Sequence, residues 1–339
     1  NRVWWSAIDN AADWPTIGSA DAAAKQSDQQ DIAFGGPVQA VLGAVGGMAG
    51  AIFQERSIQR IAYEGPPTIF GFYEVERGKG TPAPNSVVGV GRLGAFYLGD
   101  DGFYSFNAQG SSPIGAERID QYFYDDLDQS YYERIYGAAD IKNKVVYWLY
   151  PGSGNSAGIP NKVVAYNWAL DRWTTADVDA QVLLRDYSAG YTLDELDAFG
   201  NMDTLQFSLD SSNWAGGQIV MGAVNSDKKL AWFTGQAAAA TLETGENAVE
   251  DGEKRAFVRG IRPFTDADDT DLTVTLKYRE GNSPNSTLSS TAANAIDFDG
   301  HAHFTTSARY ASTKLEIAAG ALWTHAQGIN YDLVPDGEQ

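Results

Sequence analysis

The sequence contains no cysteine, which excludes a disulfide framework, a thiolate metal site and a cysteine nucleophile. Histidine is almost missing as well. The three that occur, His301, His303 and His325, confine imidazole chemistry to the C-terminal end. Positive charge is scarce, since 24 Lys and Arg stand against 44 Asp and Glu for a formal charge of −20. That balance argues against a surface that grips phosphates through counterion release, and so against ordinary tight nucleic-acid binding. Long apolar runs are also lacking. Residues Ile32 to Phe53 carry no charge, but six glycines, Pro37 and Gln39 leave too little apolar side chain for a membrane-spanning helix. That stretch reads as strand, turn, strand. The opening Asn1-Arg2-Val3-Trp4-Trp5 has neither Met nor a basic leader, which gives the expectation of a processed or trimmed chain. No G-x-S-x-G, H-E-x-x-H or P-loop is present, so these routes to hydrolysis and phosphoryl transfer lack their sequence support.

What is present describes a folded, β-rich chain. The 339 residues are 43% hydrophobic and 20% charged, far from a disordered profile, and the length allows two domains. Gly, Pro, Asn and Asp punctuate the chain every ~8 to 12 residues, the spacing of many short strands. Predicted strands are Ala51 to Phe53, Ser57 to Tyr63, Ser86 to Val90, Ala95 to Leu98, Phe103 to Phe106, Lys144 to Tyr150, Lys162 to Asn167, Gln218 to Val224 and Lys229 to Phe233. The Asp101-Gly102 pair between two of them predicts a tight hairpin. One helix is predicted after Pro113, where Ile119, Tyr122, Phe123 and Leu127 share a face.

The strongest apolar hairpins centre near Val3, Ile52, Phe96 and Val146, at intervals of 49, 44 and 50 residues. Propeller blades repeat every ~40 to 50 residues. Residues 1–235 are therefore expected to form a β-propeller of four-stranded antiparallel blades, residues 236–252 a linker, and residues 253–339 a smaller β-sandwich-like domain. The fold class is all-β.

Each candidate for chemistry has a plainer alternative. Gly89-Val90-Gly91-Arg92-Leu93-Gly94 matches G-x-G-x-x-G, but a strand rather than a helix follows it, so the glycines read as a turn. His301 and His303 would share a strand face with Asp297 and Asp299 if the strand ran unbroken. Gly300 interrupts it and no fourth ligand is specified, which favours exposed or packed histidines over a metal site. Asp266 to Asp271 lacks the glycine and distal glutamate of an EF-hand loop and reads as a solvated acidic turn. Asp125-Asp126 beside Tyr122-Phe123-Tyr124 fits the composition of a glycosidase pair, with a helix end or polar rim as the favoured reading. No catalytic, cofactor or metal residue is assigned.

A series of segments resembles tailed-bacteriophage β-propeller proteins, including the tail nozzle or phage stabilisation proteins of short-tailed phages. These segments are Asn1 to Ile8 with Asp13-Trp14-Pro15, Ile52 to Ile58, Ala83 to Val88, Leu98 to Tyr104 and Pro113-Ile114-Gly115. A weaker resemblance, to an accessory region, covers Arg255 to Gly260 with His325 to Gly328. The resemblance implies a non-enzymatic virion component. In the nozzle case it is a ring of six copies beneath the portal and its adaptor, or beside fibres, through which genomic DNA leaves without sequence-specific binding. It also implies further blades upstream. An acidic lining would let DNA slide, because it withholds the Lys and Arg contacts that hold phosphates. The alternative is a carbohydrate-binding or carbohydrate-degrading tail or surface propeller, and a third reading is a secreted binding platform.

Overall fold

The computed structural model describes residues 1–107, 109–187, 190–196, 219–233, 236–249, 255–281, 283 and 286–335. The chain is all-β and divides into two compact units, Asn1–Thr234 and Gly235–Gln339. Among the described residues, no helix is long and apolar enough to cross a membrane.

The first unit begins with a two-stranded antiparallel pair, β1 (Arg2–Trp5) and β2 (Asp28–Asp31). Three four-stranded antiparallel meanders follow in chain order. The first is β3 (Val38–Gly43), β4 (Gly50–Gln54), β5 (Ser57–Gly65) and β6 (Ile69–Arg77). The second is β7 (Val88–Gly89), β8 (Ala95–Leu98), β9 (Phe103–Asn107) and β10 (Gly110–Pro113). The third is β11 (Tyr136–Asp140), β12 (Val145–Tyr150), β13 (Lys162–Asn167) and β14 (Arg172–Asp177). A last sheet has three strands among the described residues, β15 (Val182–Tyr187), β16 (Ile219–Val224) and β17 (Leu230–Trp232).

The core explains how these sheets stack. Side chains alternate across a strand, and in the middle strands both faces are apolar. Ala95 and Tyr97 of β8 join a cluster with Ala51, Phe53 and Ile58 of the first meander, whereas Phe96 and Leu98 join one with Val146, Trp148 and Val164 of the third. Leu149 and Val163 of the third meander turn the other way, onto Leu183, Met221 and Ala223 of the last sheet. Each inner sheet is thus covered by its sequence neighbours on both sides. Among the first strands, β11 also adjoins both β7 and β15. Gly137 permits this closeness, because a Cβ there would run into Val88 and the Ser86 carbonyl.

Several expectations need correction. Val3 is not the centre of a hairpin. It pairs with Gln30 across an intervening helix, α1 (Ala20–Ala24), and its neighbour Trp5 packs against Phe70 and Phe72. The predicted strand Ser86 to Val90 shortens to Val88–Gly89, because Pro84–Ser86 winds into a 3-10 turn whose Ser86 Oγ donates to Ala83 O at 2.8 Å. The predicted helix is α2 (Asp120–Asp126). Phe123 is buried within it and Ile119 and Leu127 at its ends, but Tyr122, about 100° round the helix from Phe123 at the edge of the stripe, is exposed. Gln218 lies outside the described residues.

The second unit brings two antiparallel sheets onto one apolar cluster. Its strands are β18 (Ala240–Glu243), β19 (Asn247–Ala248), β20 (Ala256–Thr265), β21 (Leu272–Arg279), β22 (Ser289–Ser290), β23 (Asn294–Ala295), β24 (Ala302–Ala308), β25 (Tyr310–Ile317) and β26 (Ala326–Pro335). One sheet runs β18-β25-β21-β22, with β19 on β25 and β23 on β21; the other runs β24-β20-β26. Val258, Ile261 and Phe304 of the second sheet meet Val274, Leu276 and Leu315 of the first. The stretch 236–252 is therefore not simply a linker. Its part 240–243 pairs with β25 in the register Thr241↔Glu316, because the edge of β25 offers unpaired backbone that a polar segment satisfies as well as an apolar one. Residues 250–254 lie outside the described residues.

Candidate functional site

Among the described residues, one group of three metal-type donors sits on the turn between β23 and β24. Gly300, at φ +77°, reverses the chain, and the turn closes with Gly300 N–H on Asp297 O at 2.8 Å and Asp297 N–H on His301 O at 2.9 Å. The positive φ suits glycine, and here it brings together residues that an unbroken strand would have spread along one face. One donor atom each from Asp297, Asp299 and His303 lies within 4.8 Å of the others.

Neighbouring bonds fix these groups. Asp297 Oδ1 accepts from Phe298 N–H at 2.7 Å and Asp299 Oδ1 from His301 N–H at 3.1 Å, while Asn294 Nδ2 donates to His303 O at 2.6 Å. Asp299 Oδ2 lies 3.2 Å from His303 Nε2. Desolvation pushes the Asp299 carboxyl up, but the His301 N–H and the two imidazoles outweigh it and hold the group below its ordinary range. His301 turns its Nδ1 to Asp299 O at 3.0 Å and its ring stacks at 6.3 Å from that of His303. All three donors are exposed.

The other candidates resolve into structural roles. Asp126 accepts from Lys162 Nζ at 2.8 Å, Tyr150 Oη at 3.0 Å and Ser153 N–H at 3.3 Å, whereas Asp125 is exposed. They do not form an acid and base pair facing one space. In the G-x-G-x-x-G segment, Gly91–Leu93 makes a 3-10 turn into strand β8. Gly94 has φ +116°, and a Cβ there would run into Phe106 O. Its glycine serves close strand packing, with no helix N-terminus to receive a phosphate. Asp266 ties down another loop by accepting from Thr324 N–H at 2.9 Å, Thr324 Oγ1 at 2.6 Å and His325 N–H at 3.1 Å, bonds that hold its carboxyl far below the ordinary range. Asp268 caps the following 3-10 turn through Thr270 N–H.

A groove of about 790 Å³ in the first unit is lined by Phe34, Glu55, Arg56, Glu74 and Arg77. Its charges answer one another: Arg77 pairs with Glu74 at 2.8 Å and Arg56 lies 3.7 Å from Glu55. Beside it, buried Gln54 donates to Phe34 O and Gly36 O, each at 2.8 Å, and accepts from Ser57 Oγ at 2.6 Å. This network had no signal in the sequence, since a lone glutamine in an apolar strand looks like any other.

No known family model matches the chain, and no curated protein matches it.

Proposed function

We propose that the chain is a non-enzymatic structural subunit of a bacteriophage tail, its first unit a β-propeller of four-stranded blades and its second a β-sandwich. The observation that supports the propeller in this reading is the stacking of the meanders: sheets follow one another in chain order, face to face, with first strands adjoining. Radial blades have that order, and they leave only short protected edges. The phage-tail part of the reading, and with it a virion as the setting, is supported by the ordered resemblance of the first half to phage propeller proteins.

Charge and surface fit a ring. Identical subunits of −20 repel one another, so their contact faces must be poor in charge while carboxylates stay hydrated on a channel wall or rim. Exposed Trp4, Trp14, Phe34, Tyr63 and Tyr73 are the kind of aromatic surface that subunit contacts bury. Genomic DNA would pass an acidic wall without adhering.

Electron cryo-microscopy of the purified chain, and of the particle that carries it, tests both levels. Closed rings with radial four-stranded blades are expected, at a site below the portal and its adaptor. A two-sheet sandwich in the first unit would overturn the fold. Turnover of a host-type polysaccharide, abolished by replacing one acid, would move the protein to the carbohydrate-degrading class.

A further inference from the structure

We propose that Asp297, Asp299 and His303 bind a first-row divalent transition cation, with zinc as the ion to test. The inference does not depend on the phage-tail reading. It rests on the donor set, on the fixing of the donors, and on their charges.

The donors are two carboxylates and an imidazole within 4.8 Å of one another. Magnesium and calcium prefer oxygen-only sites, whereas imidazole nitrogen suits zinc and its first-row neighbours. The donors are also held from behind. Phe298 N–H and His301 N–H each occupy one oxygen of a carboxylate, and the Asn294 amide holds the His303 backbone. Such outer contacts orient ligands before the ion arrives.

Charge supplies the third observation. The His303 to Asp299 contact at 3.2 Å is an ordinary ion-pair geometry and needs no metal. Asp297, whose Oδ1 accepts from Phe298 N–H, adds a second carboxylate to the same group. A protonated imidazole offsets one of the two negative charges; a dication offsets both. Exposure of all three residues leaves the remaining coordination positions to water, so an open, exchangeable site is expected rather than a closed structural one.

The test is calorimetric titration of the full chain with zinc chloride at neutral pH, beside magnesium and calcium chloride. One zinc per chain is expected, with no competition from the other two ions. His303→Gln and Asp297→Asn should each weaken zinc by about tenfold or more, while His325→Gln, on another loop, should leave it unchanged. Absence of saturable zinc binding, or binding that survives both substitutions at the turn, overturns the proposal. Equal loss in His325→Gln also overturns it, by moving the ion to the Asp266 loop. Should a variant fail to fold, amide chemical shifts of the unaltered protein decide instead: zinc-induced changes centred on residues 294–303 support the site, and changes centred elsewhere refute it.

Discussion

The indole N–H of Trp148 donates to the backbone carbonyl of Ser86 at 2.9 Å, and both residues are fully buried. Trp148 lies in the middle of the third meander, and Ser86 in the 3-10 turn that leads into the second. One side chain therefore joins consecutive sheets. The ring of Phe103 packs at 4.6 Å from Trp148, and Ser86 Oγ in turn accepts from Leu98 N–H at 3.3 Å. A polar bond at the centre of an apolar cluster fixes how the sheets align, which dispersion alone does weakly.

Replacing Trp148 by Phe should strand the Ser86 carbonyl in the core and destabilise the first unit by about 1–3 kcal/mol. Replacement by Ala should cost more, about 3–5 kcal/mol, because a cavity is added. Urea unfolding monitored by circular dichroism measures both. A Phe variant as stable as the parent would show that the bond contributes nothing.

Asp126 predicts an acid-dependent loss of stability. Desolvation pushes its carboxyl up, but Lys162, Tyr150 and Ser153 together outweigh this and hold it below the ordinary value of 3.8. A carboxyl depressed in the folded state stabilises above its unfolded pKa, and the contribution disappears as pH falls through the folded value. Asp126→Asn should therefore be less stable than the parent by about 1–3 kcal/mol near neutral pH. The gap should narrow below pH 3.8. Parallel stability curves down to the lowest pH would remove this group from the acid response.

Gly94→Ala should lower the melting temperature without changing any nucleotide affinity. The residue combines φ +116° with a Cβ position occupied by Phe106 O, so either the turn or the β8 to β9 pairing must shift. A cost of about 1–3 kcal/mol is expected from strain of this kind. Thermal melts and a nucleotide-binding titration separate this role from a phosphate loop, which would bind nucleotide before substitution.

Asp266→Ala should release the loop that carries Thr324 and His325. Its carboxylate receives both backbone N–H groups and the Thr324 hydroxyl. Hydrogen exchange at these two amides should accelerate, while amides in β20 and β21 keep their protection. Unchanged exchange at Thr324 would mean that the loop is held by packing alone.

Middle strands were legible in the sequence for a reason the structure makes plain. β8, β12 and β13 are covered on both faces, so Ala95 to Leu98, Val145 to Tyr150 and Lys162 to Asn167 read as nearly unbroken apolar runs that need no partner to be recognised. Composition likewise set the acidic charge and the absence of thiol chemistry. Tertiary structure decided the rest. β10, with sequence Gly-Ser-Ser-Pro, and β11, with Tyr-Gly-Ala-Ala-Asp, have little intrinsic strand preference and exist because β9 and β12 present edges to pair with. Val3 found Gln30 across a helix instead of a near neighbour. At the candidate site the sequence displayed every donor, and Gly300 looked like an interruption. Only the fold shows that its positive φ turns Asp297 and Asp299 back onto His303, because a backbone reversal converts separation along the chain into proximity in space.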